Sequence, residues 1–275
     1  MRNKLAAALL LAALSAPAAA ASIDLFPRPN EIFPLLIADP RHIQVGASYY
    51  RLDGRNTSDI ALGHSWGLTR WRSGEMQDWL WETDVEGMAY SRFTIGGGVN
   101  EFETVDFFAN LPVTVRRGDV AFKGTLFHES SHLGDDYIRR TGSQGFRSSS
   151  EGVRLQGSLE PRRFARLYGG TTYLLHAVPD GGPWALQGGL ELFSDDMKWS
   201  KRARTRLFVG QDFQWHQDVR WNMDSHTVAG LKLNFSESPT RAVRFQLGYF
   251  NGHSPYGQFY TQRTHYADVS IVFEL

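Results

Sequence analysis

Val120-Ala-Phe-Lys-Gly-Thr-Leu-Phe-His-Glu-Ser-Ser-His-Leu-Gly-Asp-Asp-Tyr-Ile-Arg-Arg140 starts as an alternating strand and ends as a dense polar box. Val120, Phe122 and Leu126 share one face, and the same parity continues into His128 and Ser130. Period-2 alternation of this kind recurs through almost the whole chain, which is the signature of an all-β barrel or sandwich. About twelve segments carry it: 43–52, 59–72, 78–93, 102–116, the stretch from Val120, 151–159, 162–177, 184–194, 203–216, 225–235, 242–251 and 264–275. The count is even, and no helical period interrupts it. Several segments exceed ten residues, which is long for sandwich strands and suits tilted membrane strands. Tight turns at Arg117-Gly118-Asp119 and Glu160-Pro161 alternate with longer connections at 132–150 and 252–263. Such alternation is expected of an antiparallel up-and-down transmembrane β-barrel.

The two faces sort by chemistry. Val105, Phe107, Ala109, Leu111, Val113 and Val115 lie on one side of their strand, and Thr104, Asp106, Asn110 and Thr114 on the other. In a membrane barrel the apolar face meets lipid and the polar face lines the lumen. Arg92, Arg166, Arg204, Arg206 and Arg244, with Glu82, Glu86, Glu191 and Asp212, then form a salt-bridged interior. On the segment 162–177, Ala165, Leu167, Tyr173, Leu175 and Ala177 are assigned to the apolar face, opposite Arg166.

The ends and the composition agree with export. Arg2 and Lys4 precede the apolar run Leu5 to Leu14 and an Ala-rich cleavage site, so residues 1–21 read as a secretory signal. Residues 22–42 hold four prolines and no period, which predicts an irregular segment that plugs or lids a barrel at 43–275. There is no cysteine, so stability rests on packing and strand pairing. Lys+Arg and Asp+Glu are 29 each, which gives no basic excess for a nucleic-acid partner. A mean hydropathy of −0.34, with no later apolar run long enough to span, excludes a helical membrane protein but not a barrel. The closing Val269-x-Ile271-x-Phe273-x-Leu275 resembles the insertion signal of bacterial outer-membrane proteins, although the aromatic sits two places before the end. The expected location is therefore the outer membrane of a Gram-negative bacterium. Phospholipid, lipopolysaccharide and the barrel-assembly machinery are the expected partners.

The box carries three readings. As a strand end at the membrane rim it needs no chemistry, and the barrel would have a structural, transport or assembly role. As a catalytic site, residues i and i+2 of one strand share a face with Cα atoms about 7 Å apart, so the His128 ring reaches toward Ser130. The arrangement resembles the His-x-Ser pair of outer-membrane phospholipases and lipid A deacylases, and the phospholipase also has twelve strands. By that resemblance His128 is the base and Ser130 the nucleophile of an acyl-ester hydrolase. The phospholipase continues Ser-Asn-Gly, whereas here Ser130 is followed by Ser131-His132-Leu133-Gly134. A third group must orient the imidazole; Glu101 and Glu103 qualify by parity, and Glu103 is the expected one. As an ion site, a bend at Gly134 would gather His132, Asp135 and Asp136 around calcium. A soluble periplasmic ligand-binding β-protein is the remaining alternative.

A broader likeness covers most of the chain after the signal. The box HESSHLGDDY with its preceding Leu-Phe, together with Phe33-Pro-Leu-Leu-Ile-Ala-Asp-Pro-Arg41, resembles a bacterial family labelled domain of unknown function 1207. That resemblance implies an exported β-barrel and supplies no activity.

Overall fold

The computed structural model describes residues 23–274 except 75, 77, 97, 99, 201, 202 and 236–240. The signal segment 1–21 and Leu275 lie outside the described residues. Fourteen strands are found: β1 (Ile23–Leu25), β2 (Val45–Leu52), β3 (Arg55–Ser73), β4 (Trp79–Ile95), β5 (Glu101–Arg117), β6 (Val120–Leu133), β7 (Ser148–Arg162), β8 (Ala165–Val178), β9 (Trp184–Phe193), β10 (Met197–Lys198), β11 (Arg204–His216), β12 (Met223–Asn234), β13 (Ala242–His253) and β14 (Arg263–Glu274). All but β1 and β10 form a closed antiparallel barrel of twelve strands, in which each pairs with its neighbours in the chain and β14 closes on β2. The seam is short, running from Asp268↔Tyr50 to Phe273↔Val45. Because β2 is the shortest wall strand and covers β3 only from Arg55 to Leu62, β1 takes up Thr69–Trp71 of the same edge. That pairing blunts an edge that would otherwise be open.

The alternation reads directly as in and out. Leu62, Trp66, Phe107, Leu111, Phe122, Leu155, Leu190, Leu207, Phe245 and Leu247 project from the exterior and are all exposed. A belt of that size is the reverse of a water-soluble surface and is the lipid-facing band of a transmembrane barrel.

Inside, the polar residues find one another. Arg166 pairs with Glu191, with Nε 2.8 Å from Oε2. Lys123 Nζ donates to Glu86 Oε1 at 2.7 Å, Arg92 to Asp59 at 3.3 Å, and Arg70 pairs with Glu82.

The N-terminal segment runs through this lumen and fills it. Phe33 and Leu36 are buried with Ala121 and Tyr168 of the wall, Ile37 and Ala38 with Phe208 and Val228, and Ile32 is buried as well. The segment has no secondary structure of its own over these residues, so its backbone groups are satisfied by wall side chains. Arg116 donates to Ile32 O at 2.8 Å, Arg166 to Pro34 O at 2.8 Å, and Arg244 to Ile37 O at 3.3 Å. Ile37 N–H donates to Glu191 Oε1 at 2.7 Å. Gly67 lets the segment enter, since a Cβ there would stand 2.2 Å from Pro27 O. Beyond the hydrophobic stretch Arg41 pairs with Asp106 and lies over the Tyr90 and Phe108 rings, each at 4.7 Å. The plug separates a cavity of about 350 Å³ at the end holding the termini from one of about 250 Å³ at the far end.

Three expectations change. The β7–β8 turn falls at Arg163-Phe164, because β7 runs on through Glu160-Pro161 to Arg162 and β8 begins only at Ala165. The connection after β6 contains a short helix, α1 (Asp135–Thr141), stopped by Gly142 at φ 71°. Alternation on β8 breaks at Leu175: Gly152 pairs with Leu174 and Glu151 with His176, which leaves Leu175 as the extra residue of a bulge. Past the bulge Ala177 lines the lumen cavity, so it leaves the apolar face to which strict alternation assigns it.

Candidate functional site

Strand β6 points Ala121, Lys123, Thr125, Phe127 and Ser131 inward, and all five are buried. His128, Ser130 and His132 have the opposite parity and face outward. His128 lies eight residues beyond Val120, about 27 Å along the strand. At a tilt of 35–45° that is about 20 Å of height, close to the far boundary of a hydrophobic band about 25 Å tall. The site is therefore at the membrane interface on the far side of the barrel.

On the neighbouring strand β7, Val153, Leu155 and Leu159 share the outward parity, and Glu151 continues it as the direct cross-strand partner of His128. Glu151 Oε1 lies 2.8 Å from His128 Nδ1. Its other oxygen, Oε2, lies 2.7 Å from Nδ1 of His176 on β8. Three side chains on three adjacent strands thus form one row on the outer wall, half exposed at 48%, 39% and 59%. An ionised carboxylate only accepts hydrogen bonds, so both rings present Nδ1–H to it and leave Nε2 with its lone pair. Ser130 stands two residues from His128 on the same face, paired across to Ser149 and Phe107. Among the described residues no hydrogen bond engages the Ser130 hydroxyl, so it is free to turn toward the ring.

Glu103 is not the residue that orients His128. It lies on β5 beyond Thr104, whose cross-strand partner is Leu133, while His128 pairs with Ala109. Six residues of strand, about 20 Å, separate it from the ring. Its carboxylate accepts from Thr94 Oγ1 at 2.6 Å and from Arg140 at 3.3 Å.

The expected ion site does not assemble either. His132 faces outward, its ring 6.1 Å from that of Phe107. Asp135 and Asp136 occupy the first turn of α1, past the end of the strand, so the three cannot converge. Asp136 accepts from Phe102 N at 3.0 Å and from Arg139 at 3.1 Å, and Asp135 lies 3.8 Å from the same guanidinium. Among the described residues no group of three or more His, Cys, Asp or Glu side chains is arranged to hold a metal ion. The residues do not fit calcium.

Sequence reading missed Glu151 and His176. The parity rule that singles out Glu103 on β5 singles out Glu151 when it is applied to β7. His176 carries no such signal, because its outward direction depends on the bulge.

A closed antiparallel barrel of twelve strands with an apolar exterior and a polar interior is a transmembrane β-barrel, and solved barrels share the fold. The chain is similar in fold to an outer-membrane phospholipase of Salmonella typhi described as a dimer with bound calcium, at a TM-score of 0.54 and 10% identity over 86% of this chain and 93% of that one. The corresponding phospholipase of Escherichia coli gives 0.54 and 10% over 84% and 96%. A KdgM porin gives 0.45 and 8% over 85% and 99%. No curated protein matches the chain. A family model described as "Protein of unknown function (DUF1207)" matches residues 13–275, and the chain belongs to that family.

Proposed function

We propose that the protein is an integral outer-membrane barrel that hydrolyses acyl esters of membrane lipid at the outer leaflet. Ser130 is its nucleophile, His128 its base and Glu151 the orienting carboxylate. The observation that carries this reading is the 2.8 Å contact between His128 Nδ1 and Glu151 Oε1 on the lipid-facing wall. Three ionisable groups joined on the outer wall, apart from the salt-bridged lumen, ask for a reason. This pair has the geometry of a base held by its acid: Nδ1–H is engaged, and Nε2 is free on the face it shares with Ser130. In the reaction Ser130 Oγ attacks the ester carbonyl and its proton passes to His128 Nε2. The ester bond breaks, and the leaving alcohol takes that proton. Water, deprotonated by the same nitrogen, then releases the fatty acid from Ser130. Glu151 stabilises the imidazolium that forms twice in the cycle.

The plugged lumen favours this reading over that of a pore, because Ile32, Phe33, Leu36 and Ile37 occupy the path an ion or solute would take. By the same reading the chain is exported, is inserted by the barrel-assembly machinery and meets phospholipid and lipopolysaccharide at its outer face.

The test is release of fatty acid by the purified barrel in mixed micelles of phospholipid or lipid A. Ser130→Ala is expected to lower kcat by about 10³-fold or more, with its heat-modifiable gel mobility unchanged. A fluorophosphonate probe is expected to label Ser130. An undiminished rate in Ser130→Ala would end the proposal.

A further inference from the structure

His176 has no place in the three-residue scheme, yet the fold is bent to bring it there. Strict alternation on β8 gives His176 the parity of Thr172 and Leu174, both of which line the lumen cavity. The extra residue Leu175 reverses that parity and sets His176 directly opposite Glu151 on the lipid side. Gly152 makes room for the irregularity: a Cβ at that position would stand 2.7 Å from Tyr173 O and 2.8 Å from the Phe127 ring. The outcome is a third ionisable group on the outer wall, 2.7 Å from the oxygen that His128 does not use.

The chemistry gives this contact a purpose. A glutamate side chain has three rotatable bonds, and Glu151 is partly exposed at the membrane surface. An orienting carboxylate that swings freely holds its histidine in the working geometry only part of the time. With Oε2 held by β8 and Oε1 held by β6, the carboxylate is tied at both ends. Two strand spacings of about 4.8 Å separate β8 from the strand that carries Ser130, so His176 is too far away to act as the base itself.

Resting on the hydrolase reading above, we infer that His176 is a positioning residue, which fixes Glu151 so that Glu151 can fix His128. His128 and His176 thus share one carboxylate, each holding one of its oxygens.

The experiment uses the full mature chain in mixed micelles, with His176→Leu, which suits a lipid-facing position, and His176→Gln, which keeps a donor. His176→Leu is expected to lose about 10- to 100-fold in kcat at little cost in KM. His176→Gln, which keeps a donor for Glu151 Oε2, is expected to recover most of kcat, a rescue that a purely structural role would not produce. Nitrogen-15 spectra of the His128 ring supply a readout without turnover: His176→Leu should speed exchange of its Nδ1 proton. Wild-type kcat in His176→Leu would overturn the inference while Ser130→Ala remains inactive. If Ser130→Ala were active, the hydrolase reading itself would fail. The positioning contact would then stand or fall on the Nδ1 exchange rate alone.

Discussion

Arg166 and His128 are both ionisable residues on wall strands of one barrel, and the fold treats them differently. Arg166 points into the lumen, where Glu191 takes its charge and the carbonyls of Pro34 and Leu35 take its remaining donors. Every demand it makes is met by the fold, so packing alone accounts for its presence. His128 points at the membrane, meets one carboxylate through Nδ1, and turns its other nitrogen toward the surroundings. Packing accounts for a residue whose needs are all met internally; His128 keeps a ring nitrogen that the fold does not use. Interior charges such as Arg166 hold the plug, and the exterior row does not touch it.

Substitutions can break that division. The largest effect is expected at Glu151→Gln, which puts an amide against the His128 ring and disturbs its tautomer. Hydrolysis should fall by about 10²- to 10⁴-fold with thermal unfolding unchanged, as read by fatty-acid release and by the heat-modifiable gel shift. Arg166→Met should show the converse. It leaves Glu191 as an unpaired buried carboxylate and frees two plug carbonyls, at a cost of about 3–5 kcal/mol in stability. Denaturant unfolding in detergent should record that loss, with kcat at low temperature close to wild type. A kinetic defect in Arg166→Met matching that of Glu151→Gln would erase the distinction between the two regions. The smallest effect is expected at Glu103→Gln, which is buried but keeps the acceptor that Thr94 uses, while its other partners Arg140 and Arg55 are partly exposed. It should change stability by about 1–2 kcal/mol and leave hydrolysis alone.

The barrel was legible because period-2 alternation survives from Val45 to the last strand, and lipid and lumen impose opposite chemistry on alternate residues. The outward direction of His128 and Ser130 followed from the same count. Glu151 was within reach of that count, one strand further on. His176 was not, because a single unpaired residue at Leu175 reverses parity, and no residue type announces a bulge in a run as apolar as Tyr173-Leu174-Leu175. The helix α1 escaped for a related reason: seven residues are too few to show a 3.6 period, and the acidic residues of its first turn look like ligands when read without their arginine. Four prolines in residues 22–42 point to an irregular segment, but nothing in its sequence shows where it is anchored. Its partners Arg116, Arg166, Glu191 and Arg244 lie 84 to 207 residues away in the chain.

Those separations also say what the segment does for the wall. Ten residues from Ile32 to Arg41 carry anchors spread over β5, β8, β9 and β13. β13 stands beside β14, whose joint with β2 is only six residues long. The segment is thus an internal brace, tying from within a cylinder whose own closure is short.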